Sequence, residues 1–124
     1  MRVLGSKLGM IAVATTLASG ALLTGATASQ ADALGCNGNV CMYLSTPKNG
    51  TVYVEAYPQH GSFYGNFDLT GPNGLYRHGS TQTWTNGAFE PNQVWTGIPA
   101  VVGKYCVSGW DHGQRIGLPC ESIK

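Results

Sequence analysis

All four cysteines of this 124-residue chain, Cys36, Cys41, Cys106 and Cys120, lie behind an N-terminal stretch that reads as an export signal. Arg2 and Lys7 supply a positive start, and an apolar, small-residue run extends from Leu8 to about Ala26. Two Ala-x-Ala sites follow, ending at Ala28 and at Ala33. That order marks a secretory signal peptide. Export puts the cysteines in an oxidising compartment, where they close into disulfides. The chain must therefore fold so that two pairs of sulfurs meet.

Two other readings of the leader are weaker. The run contains Gly9, Thr15, Thr16, Ser19, Gly20 and Thr24, so it is short and polar for a membrane anchor. Ala33-Leu34-Gly35-Cys36 ends like a lipobox, but lipidation of Cys36 would leave an odd number of cysteines. Cleavage after Ala33 is preferred, with Ala28 and Ala31 as rivals. Residues 1–33 are then the signal peptide and 34–124 a single secreted domain with no stable membrane anchor.

In that domain Lys48, Arg77, Lys104, Arg115 and Lys124 balance Glu55, Asp68, Glu90, Asp111 and Glu121. Without a basic stripe, the chain lacks the electrostatic footprint of nucleic-acid binding. A domain this small buries only about 60–65% of its unfolded surface. Two disulfides at about 2–4 kcal/mol each would matter to it.

The local pattern is all-β. Val52, Val54 and Ala56 alternate with Tyr53, Glu55 and Tyr57, and Phe63, Gly65, Phe67 and Leu69 alternate with Asn66 and Asp68. With Val40–Leu44, Thr81–Trp84, Gln93–Ile98, Lys104–Trp110 and Leu118–Ile123, this gives about seven short strands. Asn37-Gly38, Asn49-Gly50, Asn73-Gly74 and Asn86-Gly87 punctuate them with residues suited to type I′ hairpin turns. A small antiparallel β-sandwich, or a barrel-like variant, is the expected fold. Pro119 marks the last strand as an edge or as beginning there.

Three disulfide pairings are possible. Cys36–Cys41 with Cys106–Cys120 suits the turn chemistry, because the first pair closes around an Asn-Gly turn and the second bridges the last two strands. Chain entropy favours longer links, about 4.5 kcal/mol for Cys36–Cys120 against about 2 kcal/mol for a six-residue loop. Geometry decides, and the local pairing is favoured.

Catalytic groups are sparse. His60, His78 and His112 stand singly in turn-like contexts, without zinc-binding spacing, and no cofactor is implied. Asp111 and His112 could cooperate only if their loop bends, and no G-x-S-x-G elbow supplies a serine. The expectation is a non-enzymatic protein, with no catalytic residues and no metal ligands. Aromatic usage is more telling. Tyr53 and Tyr57 flank Glu55 on the polar face of one strand, an arrangement able to stack on sugar rings or anchor a partner protein. Trp84, Trp95 and Trp110 are read as core.

The leader, the C-x-x-x-x-C that follows it, Phe67–Gly74, Thr83-Trp84 and Tyr105-Cys106-Val107 together resemble small secreted disulfide-containing β-proteins of actinobacteria. The resemblance implies an extracellular habitat and carries no catalytic residues. Secreted actinobacterial protease inhibitors offer a second comparison, in which Arg115-Ile116 within 111–119 would resemble a trypsin-type scissile bond. A secreted glycan- or protein-binding domain acting through Tyr53, Glu55 and Tyr57 is the first reading. An inhibitor acting through Arg115 is the second, and a secreted hydrolase the third.

Overall fold

A computed structural model describes residues 32–124, together with the backbone of residues 3–5 and 7–8. Beyond Leu8, the apolar run of the expected signal peptide and the expected cleavage sites at Ala28 and Ala31 lie outside the described residues. Near the start, β1 (Val3–Gly5) pairs with β2 (Lys7–Leu8).

From Ala33 onward ten strands form two antiparallel sheets that face each other as a sandwich, with no α-helix among the described residues. The first sheet orders β3 (Ala33–Asn37), β4 (Val40–Leu44), β5 (Thr51–Pro58) and β9 (Gln93–Pro99) side by side. The second is built on two long strands, β6 (Ser62–Gly71) and β10 (Gly103–Asp111). Each has two short strands laid end to end along its outer side. β7 (Leu75–His78) and β8 (Gln82–Thr85) pair with β6, while β11 (Gln114–Gly117) and β12 (Cys120–Ile123) pair with β10.

Alternation decides which residues meet between the sheets. Val40, Met42, Leu44, Val52, Val54, Ala56, Trp95 and Ile98 come from the first sheet; Phe63, Phe67, Leu69, Trp84, Tyr105, Val107 and Ile123 come from the second. Trp95 and Ile98 are an odd number apart yet both point inward. A bulge explains this, because Thr96 and Gly97 together oppose Tyr53, and Gly97 takes φ 65°. Tyr105 is fully buried, and its hydroxyl donates to Pro99 O at 2.6 Å and accepts from Val101 N at 2.8 Å. The loop between β9 and β10 is thus tied to the core.

The count of ten strands rather than seven comes from β3, β7 and β11, short arms with too little apolar alternation to announce themselves. The turns also differ from expectation. Asn49-Gly50 does adopt positive φ at both positions, but the β3–β4 turn centres on Gly38-Asn39, with Gly38 at φ 57° as a type II′ turn requires. Asn86-Gly87 opens a longer loop instead of a hairpin. The β10–β11 turn is His112-Gly113, both at positive φ.

Both disulfides join residues directly opposite each other, Cys36 to Cys41 across β3–β4 and Cys106 to Cys120 across β10–β12. The favoured local pairing is the one formed. β12 begins directly after Pro119, as its missing N–H requires. Where β12 comes beside β3, the Glu121 carboxylate lies over Gly35, in the space a side chain at 35 would fill.

Candidate functional site

The outward face of the first sheet carries Tyr53, Glu55 and Tyr57, one parity of β5. β4 adds Tyr43, directly opposite Glu55, and its ring lies 5.5 Å from that of Tyr53 at a tilt of 52°. Tyr53 and Tyr57 are separated by about 13 Å along the strand. The side chains of Tyr53, Glu55 and Tyr57 make no hydrogen bond among the described residues. Leu34 and Val94, both exposed, continue the face toward its two edges. The result is an open aromatic strip with a carboxylate at its centre.

Each end of the strip opens into a depression. One, about 290 Å³, is lined by Asp32, Thr46, Lys48, Thr51, Tyr53 and the bulged Gly97. The other, about 380 Å³, lies beside Tyr57 and the loop from Asn86 to Asn92. Phe89, at the tip of that loop, is 100% exposed. Bulges recur beside binding sites because they re-aim neighbouring side chains, and this one stands opposite Tyr53.

Asp32 is the most heavily bonded group at the strip. Its carboxylate accepts from the Tyr43 and Thr46 hydroxyls and from Thr46 N, the last at 2.7 Å. The Thr46 hydroxyl, the Tyr43 hydroxyl and the Thr46 N–H hold its carboxyl below the usual carboxylate range. The same bond pushes the Tyr43 phenol up to about 12, since losing its proton would set two negative charges together. Neither Asp32 nor Tyr43 stands out in the sequence. Tyr43 shares the period-2 pattern that marks Tyr53, whereas Asp32 is read there as part of the leader.

The outward face of the second sheet differs. Asp68, on β6, accepts from Asn66 Nδ2 at 2.9 Å and Tyr76 OH at 3.1 Å, and it meets His78 Nδ1 at 2.7 Å. Desolvation and the bond to Asp68 raise the Tyr76 phenol. Ser108 stands opposite Asp68 on β10, so the order across the sheet is Ser108, Asp68, His78. A nucleophilic relay needs histidine between serine and carboxylate, and the Ser108 hydroxyl instead accepts from Trp110 Nε1 at 3.0 Å. Trp110 thus lies half-buried on an outer face, and only Trp84 and Trp95 join the core. The Asp111–His112 turn does bend, with φ 49° at His112 and Nδ1 at 2.6 Å from Asp111 Oδ1.

Arg115 lies on β11, in the other sheet from Tyr53, Glu55 and Tyr57, and it pairs with Trp110 in the ladder. The next carbonyl, Ile116 O, accepts from Asn39 N at 2.9 Å, so the Arg115-Ile116 bond is held on both sides. A reactive inhibitor loop presents its scissile bond free of such pairing. Comparisons with protein-family models, curated proteins and solved structures find no match. The class defined by the fold is therefore the general one, a small antiparallel β-sandwich braced by two local disulfides, the pattern of oxidising compartments.

Proposed function

We propose that this protein is an exported, non-enzymatic binding domain whose tyrosine strip contacts an extracellular glycan. The observation that carries the reading is the placement of Tyr43, Tyr53, Glu55 and Tyr57 on one open sheet face. Tyrosine rings offer flat apolar surface to the C–H face of a sugar, and Glu55 accepts from its hydroxyls. The spacing of Tyr53 and Tyr57 exceeds one sugar ring, which favours a chain lying along β5 over a free monosaccharide. A protein partner would seat its anchors in well-desolvated pockets, and the depressions here are open.

The test is co-sedimentation of the purified domain with insoluble cell-wall polysaccharides. Tyr53→Ala with Tyr57→Ala should reduce retention by about tenfold or more while leaving the circular dichroism unchanged. Arg115→Ala should change nothing. Retention that survives the double substitution, or that is absent for the unaltered protein, overturns the reading; retention lost only on Arg115→Ala would point to the opposite sheet.

A further inference from the structure

The preferred cleavage after Ala33 would remove two residues that belong to the fold. Ala33 pairs with Leu44 in the β3–β4 ladder and packs against the core. Asp32 ties the start of the chain to β4 and to the segment after it, through Tyr43 and both the hydroxyl and the N–H of Thr46. It also supplies the carboxylate of the depression beside Tyr53. A chain beginning at Leu34 would lack all of this, and its new ammonium group would arise next to Tyr43, the residue opposite Leu34.

From these contacts we infer that export processing cuts before Asp32, after Ala28 or Ala31, so that the mature domain keeps Asp32 as the N-terminal clasp of its tyrosine strip. Both positions have the small residues a signal peptidase needs, Ala26 and Ala28 for one site, Ser29 and Ala31 for the other. The inference rests on the export reading and adds to it. A carboxylate that the sequence assigns to the discarded leader becomes part of the candidate site. The clasp also has an electrostatic signature, since Asp32 is what holds the Tyr43 phenol near 12.

The full chain, exported with its own leader from a bacterial host, tests this by intact mass and N-terminal sequencing of the product in the medium. A first residue of Ser29 or Asp32 is expected, and alkaline titration at 295 nm should include a tyrosine ionising near pH 12. Asp32→Asn should bring that tyrosine back by more than one pH unit while the secreted product keeps the same start. A first residue of Leu34, or titration of Tyr43 unaffected by Asp32→Asn, overturns the inference alone. Recovery of the chain with Met1 attached, or no product in the medium, overturns the export reading with it.

Discussion

The two outer faces of the sandwich carry similar residues and treat them in opposite ways. On the second sheet the polar groups bond to one another: Asp68 gathers Asn66, Tyr76 and His78, Trp110 bonds to Ser108, and His112 meets Asp111. On the first sheet Tyr53, Glu55 and Tyr57 point their polar ends outward, and of the four strip residues Tyr43 is the one engaged, by Asp32. A face that satisfies itself has little left to offer a ligand, since contact would first break internal bonds. Composition alone therefore does not mark a binding surface. What distinguishes one is polar capacity left over after folding.

The largest break between the faces should come from removing one carboxylate on each. Asp68→Ala removes the acceptor shared by Asn66, Tyr76, His78 and Gly79 N at a group only 14% exposed, and should cost about 2–3 kcal/mol in urea unfolding. Glu55→Ala should stay within about 0.5 kcal/mol and show its effect in glycan retention instead. Equal stability losses at the two positions would erase the contrast.

A smaller difference is expected between the two core tryptophans. Trp84 Nε1 donates to Gly65 O at 3.1 Å, whereas the buried Trp95 Nε1 has no hydrogen-bond partner among the described residues. Both lose similar volume on conversion to phenylalanine. Trp84→Phe should therefore be worse than Trp95→Phe by about 1 kcal/mol, because only the first deletes a made bond. Denaturant midpoints at equal m-value would check this.

The smallest effect is the pH dependence of the clasp. The Asp32 carboxyl is lowered in the folded protein, so its contribution is present above the ordinary carboxylate value of about 3.9 and fades as pH falls through the folded value. Tyr43 is raised, so its contribution is complete below about pH 10 and is lost as pH rises toward 12. Thermal melts should show both losses in the unaltered protein. Asp32→Asn should abolish the acid-side part.

The sandwich was legible wherever a strand alternates strongly, as in β5 and β6, and wherever a cysteine pair could close locally. The strands β3, β7 and β11 were hidden because their pairing is supplied by stronger neighbours: Leu-Tyr-Arg-His of β7 has no pattern of its own and is a strand because β6 is one. The parity that put Tyr53, Glu55 and Tyr57 on one face also held in three dimensions. Tyr43 required knowing that β4 lies beside β5. Trp110 required knowing that β10 turns its odd-numbered residues inward, and Asp32 required contacts that no local pattern encodes.

Glu121 at the margin of the sandwich has a consequence for self-association. There β3 is the end strand of its sheet, the sort of edge onto which another copy can add and begin a fibre. The carboxylate lying over Gly35 charges that margin, so an incoming strand would have to strip water from an ion before its first backbone bond formed. At high concentration the fold thereby carries its own guard against polymerisation.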